Sequence, residues 1–130
     1  MWQSTDLSGR LTRKATLSTL PPGHKGSSHA ADIQITPNGR FAYVSNRCTT
    51  ELKKGQKPDD TLCAVAIDKK TGDMTIVGHY PTGFFPRATC IDLKGKFFFA
   101  CGQRSDDLHT YRINKKTGAL KPIKVNTCCP

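Results

Sequence analysis

Ile35-Thr-Pro-Asn-Gly-Arg-Phe-Ala-Tyr-Val-Ser-Asn-Arg47 returns further along the chain as Ile91-Asp-Leu-Lys-Gly-Lys-Phe-Phe-Phe-Ala-Cys-Gly-Gln103. A second pair keeps the same order: Ala64-Val-Ala-Ile-Asp-Lys-Lys-Thr-Gly72 and Thr110-Tyr-Arg-Ile-Asn-Lys-Lys-Thr-Gly118. Thr71 and Thr117 lie 46 positions apart, whereas Gly39 and Gly95 lie 56 apart, because the first copy carries an extra stretch at residues 51–60. A period of roughly 40–50 residues built from short strands is the signature of propeller blades. One blade cannot bury both of its faces alone. The repeat therefore predicts an all-β chain of about two blades of four antiparallel strands, plus one strand.

Working outward, residues 31–36 alternate apolar and polar, as a strand with one buried face does. Pro37-Asn38-Gly39 is a turn, since Pro fixes its φ and Asn and Gly tolerate left-handed backbone. Residues 40–46 form the next strand, with Phe41, Tyr43 and Ser45 on one face. Residues 48–61 are polar and read as a long, mobile hairpin loop. Strands follow at 62–67 and 74–80, around the turn 68–72. The second unit repeats the order with strands at 87–92, 96–101, 108–113 and 120–125. No window of ten residues carries a helical period. Residues 11–20 have the position of an outer strand of a preceding blade, with blades at 30–83 and 84–130. The chain is thus expected to begin inside a propeller, as a C-terminal piece of a longer protein or with other chains covering its open blade edges, a route to self-association.

The chain has 130 residues, 36% of them hydrophobic, too few for the four or more blades of a closed propeller. No apolar run approaches a membrane span. The first ten residues lack the pattern of a secretory signal, so a cytoplasmic protein is expected. The net charge of +10 falls mainly on turn lysines. No RRM, KH, zinc-finger or helix-turn-helix pattern accompanies it, and no nucleic acid partner is expected. Of six cysteines, Cys63, Cys90 and Cys101 lie in apolar strand patterns, where Cys acts as a small buried hydrophobe. Free thiols are the expectation. Disulfides or a metal remain the alternative, although the vicinal Cys128-Cys129 has no second pair to complete a zinc site.

Three further stretches, with the repeat, carry a family resemblance. Residues 30–47 (Ala-Ala-Asp-Ile-Gln-Ile-Thr-Pro-Asn-Gly onward), Val77-Gly-His-Tyr-Pro-Thr-Gly83 with Pro86-Arg87, and Gly102-Gln103-Arg-Ser-Asp106 resemble the seven-bladed lactonase propellers. That family includes bacterial-type 6-phosphogluconolactonases and fungal carboxymuconate cyclases. The match covers about residues 11–126. It implies hydrolysis of a small phosphorylated sugar lactone in the pentose phosphate route, without metal or cofactor. It also implies Asp32 as the carboxylate and Arg87 as the functional Arg, both on inner strands facing the central channel. Ring opening needs a proton acceptor or water-orienting group and a cation beside the developing oxyanion. His29 and Arg47 are the candidate substrate-binding residues.

The family's proposed catalytic His and a further Arg lie upstream of anything in this chain. The alternative function is therefore a non-catalytic truncated fragment or a protein-interaction module.

Each candidate also has a structural reading. Asp32 could cap a turn or pair with a base, Arg87 could be a blade-edge ion-pair partner, Arg47 could be a surface residue, and His29 a loop histidine. Gln103, Ser105 and Asp106 read as a structural turn. Phe84-Phe85 and Phe97-Phe98-Phe99 read as core or inter-blade packing. His24, His79 and His109 have no nucleophile motif beside them, so triad chemistry is not supported.

Overall fold

A computed structural model describes the backbone of residues 2–4 and the whole of residues 8–128; Cys129 lies outside the described residues. Among these there is no helix, and so none long and apolar enough to cross a membrane. A short hairpin, β1 (Trp2–Ser4) with β2 (Leu11–Arg13), comes first. The first four-stranded sheet holds β3 (Ser28–Ile35), β4 (Phe41–Cys48), β5 (Thr61–Ile67) and β6 (Met74–Pro81) in sequence order. The second holds β7 (Pro86–Ile91), β8 (Phe97–Gly102), β9 (Asp107–Ile113) and β10 (Leu120–Thr127) in the same order. All pairings are antiparallel. β3 and β7 are neighbours in space, so each is the inner strand of its blade.

Asx chemistry builds the turns at equivalent places. Asp68 Oδ1 accepts from the amides of Lys70 (2.7 Å) and Thr71 (3.1 Å). Asn114 Oδ1 accepts from Lys116 (2.9 Å) and Thr117 (3.2 Å). A short acceptor side chain closes each turn by taking backbone amides that would otherwise go unpaired. Pro122 sits beside a bulge on β10, an outer edge strand, where a missing ladder donor is tolerated.

The core lies between the sheets. Phe41, Tyr43, Leu62 and Ala64 of the first meet Phe98, Ala100, Tyr111, Ile113 and Leu120 of the second. The Tyr43 and Phe98 rings stand 5.0 Å apart. Each blade also hands a tyrosine to the other: Tyr43 donates to Gly118 O (2.9 Å) and Tyr111 to Pro81 O (2.6 Å). Burial raises the Tyr111 phenol to about 12, so it stays a donor at ordinary pH. Tyr111→Phe is expected to lower stability by about 1 kcal/mol, read as a shifted urea midpoint with an unchanged slope.

The reverse face of β4 and β5 carries Ala42, Val44, Cys63 and Val65, against which Leu17 packs. Asn46 anchors the segment bearing Leu17. Its Nδ2 donates to Thr19 O (2.8 Å), and Thr19 Oγ1 donates to Asn46 Oδ1 (2.7 Å). Both faces of β4 are thus buried, and not only the face of Phe41, Tyr43 and Ser45.

Three expectations need correction. Residues 11–20 form a strand only at Leu11–Arg13, which pairs with Trp2–Ser4; the remainder lies across the first sheet, held by Leu17 and Thr19 rather than by a ladder. Cys63 is buried as expected, but Cys90 and Cys101 are exposed. Side chains alternate along a strand, and these two share the face of Phe97 and Phe99, opposite the buried Phe98 and Ala100. Phe98 is fully buried, yet Phe84 is exposed.

Candidate functional site

The inner strands both bulge at matching places. β3 shifts register between Ala30 and Ile33, and β7 between Pro86 and Ala88. Asp32 lies in the first bulge and Arg87 in the second. Bulges re-aim side chains and recur beside active sites. Asp32 is the fifth residue of β3, not its start, because the strand begins at Ser28.

Asp32 is half-buried and heavily bonded. Thr89 donates to Oδ2 through its amide (2.8 Å) and its hydroxyl (2.7 Å). Ile33 N donates to Oδ1 (2.9 Å), and Gln34 Nε2 lies 3.3 Å from Oδ2 and 3.5 Å from Oδ1. Its own amide donates to Ser45 Oγ (3.2 Å). Burial pushes the carboxyl pKa up, but the bonds from Thr89, Gln34 and Ile33 outweigh it and hold the group below the usual carboxylate value. Asp32 is therefore an anion at every ordinary pH and a joint between the two inner strands. Oδ1 accepts one bond of ordinary length and one at the limit of hydrogen bonding.

Arg87 is exposed, and no carboxylate lies within ion-pair distance of it among the described residues. His29 is exposed and stands opposite Arg47 in the β3–β4 ladder. The Arg47 guanidinium stacks on Phe85, 4.9 Å from the ring centroid, and its buried Nε has no hydrogen-bond partner among the described residues. Of the four predicted residues, His29 and Asp32 lie on β3, Arg87 on the adjacent β7, and Arg47 on β4 opposite His29.

A 7-bladed lactonase β-propeller family model matches residues 1–130. The chain belongs to the seven-bladed lactonase propeller family. Relatives of this lactonase-family chain include 6-phosphogluconolactonase of Pectobacterium carotovorum, 37% identical over 123 residues, or 95% of this chain and 34% of that one. Another is 6-phosphogluconolactonase of Serratia proteamaculans, 38% identical over 115 residues, 88% of this chain and 32% of that one. The periplasmic gluconolactonase PpgL of Pseudomonas aeruginosa superposes with a TM-score of 0.82 at 24% identity, over 97% of this chain and 32% of that one. The lactonase-family chain spans about a third of the length of these relatives.

Sequence reasoning missed several residues of this region. Thr89, which holds Asp32, stands where the first copy of the repeat has Ile33, so the polar exchange was a signal in the repeat itself. Phe85 has a left-handed backbone (φ 59). Its amide donates to Asp60 Oδ2 (2.9 Å), and its carbonyl accepts from Gln103 N (3.2 Å). Asp60 Oδ1 takes the Cys48 amide, so the long 49–60 loop is anchored at its C-terminal end. Ser105 accepts from Phe84 N (2.8 Å) and donates to Asp107 Oδ1 (2.7 Å), the structural turn expected there.

Proposed function

We propose that this chain carries part of a lactone-hydrolysing site, with 6-phosphogluconolactone as the substrate. The observation that carries the reading is the pairing of Asp32 and Arg87 in matching bulges of adjacent inner strands, in a chain akin to enzymes of that name. In the reaction, water adds to the lactone carbonyl, the ring C–O bond breaks, and the ring oxygen leaves with a proton as a hydroxyl. Arg87 lies free to hold the developing oxyanion by charge-assisted hydrogen bonds. Asp32, ionised and nearly saturated, orients the attacking water through Oδ1 rather than storing its proton. His29 and Arg47 bind the substrate at the rim. The five described cysteines are free thiols, which suits the reducing conditions of the cytoplasm.

The test is hydrolysis of freshly generated 6-phosphogluconolactone against its spontaneous rate. The expected result is a rate above background that drops at least about tenfold in Arg87→Ala. A rate equal to background from folded protein would refute activity in this polypeptide alone.

A second reading, an interaction module, is favoured by the open faces. The face of Phe41 and Tyr43 corresponds in the repeat to that of Phe97, Phe99 and Cys101, and the face of Ala42 and Val44 to that of Phe98 and Ala100. Within the chain, the first kind of face packs on the second kind. Among the described residues no second sheet covers the remaining face of either kind; on the Ala42–Val44 face Leu17 packs beside exposed Ile33 and Ile35 and a groove of about 330 Å³. A second copy docking head to tail would repeat the interface already made. Sedimentation should show concentration-dependent association that Ile35→Asp abolishes; a monomer at all concentrations would reject this reading.

A further inference from the structure

We propose that Arg104, together with Arg47, forms an anion subsite around Phe85 that takes the phosphate of a phosphorylated substrate. The Arg104 guanidinium lies 4.1 Å from the Phe85 ring centroid and that of Arg47 lies 4.9 Å from it. Among the described residues no carboxylate stands within ion-pair distance of either guanidinium. Stacking occupies a guanidinium's face and leaves its N–H edge to bind, and that edge matches phosphate oxygens two at a time. The buried, unpartnered Nε of Arg47 is a donor held ready for such an acceptor.

The place is built rather than incidental. Phe85 keeps a backbone that a non-glycine residue rarely adopts. Three bonds hold that conformation: Phe85 N to Asp60, Gln103 N to Phe85 O, and Arg104 N to Phe84 O (3.0 Å). The last of these fixes the base of Arg104 itself. A cavity of about 190 Å³ opens beside the ring, lined by Leu52, Pro58, Asp60, Phe84, Phe85 and Arg104 among others. Asp60 is the one carboxylate there, and both of its oxygens already accept backbone amides.

The position suits a substrate reaching Asp32. Ser45, bonded to the Asp32 amide, and Arg47, stacked on Phe85, lie two residues apart on one face of β4, roughly 7 Å along the strand. On β7 the order is the same, with Thr89 at Asp32, then Arg87, then Phe85 just before the strand. A lactone carbonyl near Arg87 would place its far end toward Arg104. The subsite thus rests on the lactone reading for the carrier of the anion, but not for the binding of an anion.

The experiment is calorimetric titration of the whole chain with 6-phosphogluconate and, separately, with gluconate. The unaltered chain should bind 6-phosphogluconate more tightly. Arg104→Ala should weaken that ligand roughly ten- to a hundredfold and leave gluconate unchanged, with thermal melting confirming the fold. Arg104→Lys should restore part of the loss. No preference for the phosphorylated ligand, no effect of Arg104→Ala, or an equal effect on both ligands would each overturn the subsite. Selective binding without hydrolysis would sink the lactonase reading alone. Hydrolysis without selectivity would sink the subsite alone.

Discussion

Gly118→Ala should cost about 2–5 kcal/mol and lower the melting temperature by roughly 10 °C or more. Two effects add. Gly118 has φ +77, where an L side chain is strained. A Cβ there would also lie 2.3 Å from Phe41 Cδ1, inside the inter-blade core. The Gly118 carbonyl accepts the Tyr43 hydroxyl, so the backbone has little freedom to retreat. Gly55→Ala isolates the first effect, because Gly55 has φ +83 with nothing within 4 Å of an added Cβ. It should cost only about 1–2 kcal/mol. Near-ultraviolet dichroism melts of both variants measure the difference, and equal losses would mean that the Phe41 contact is not tight.

Asp32→Ala should act on stability and chemistry together. Removing the carboxylate strands the Thr89 amide and hydroxyl between the inner strands, at about 1–3 kcal/mol. Lactone hydrolysis should fall on the order of a hundredfold, because the water loses its orienting anion. The acid dependence follows from the lowered carboxyl pKa. A group whose folded pKa lies below its unfolded one stabilises the protein above the unfolded value, here 3.8, and ceases to do so as pH falls through the folded value. The Asp32 contribution should thus be complete near neutrality and fade only below about pH 4. Asp32→Asn should flatten that acid loss. Asp68 and Asp92, whose folded values are lowered by turn amides, will keep part of it. Hydrolysis by the unaltered chain should show no inflection from Asp32 above pH 4. A clear one near 6 would restore Asp32 as a proton acceptor.

Local chemistry was readable from the sequence. The turns at 37–39 and 68–72 and the repeated order of the strands depend on residues a few positions apart. That Asp32 and Arg87 stand on neighbouring inner strands was foreseen only through the family resemblance. What eluded the sequence depends on distant partners. Thr89 meets Asp32 across 57 positions, and Phe85 turns left-handed because Asp60 and Gln103 hold it there. Cys90 and Cys101 look like core by pattern, yet they are exposed because their face of the second sheet has no sheet upon it. Pattern gives the two faces of a strand but not the identity of what covers each.

The meander order of both sheets has a consequence for the nascent chain. Every strand pairs with its immediate successor, so the first sheet is complete once Pro81 has left the ribosome. Its Phe41–Tyr43 face then waits for Phe98, Tyr111 and Leu120, and the latch at Gly118 closes 75 positions after Tyr43. During that interval an aromatic surface stands uncovered, the condition under which partly made chains aggregate. Holdase chaperones should therefore engage ribosome-bound chains more strongly while Pro81 has emerged and Leu120 has not than after Leu120 has emerged.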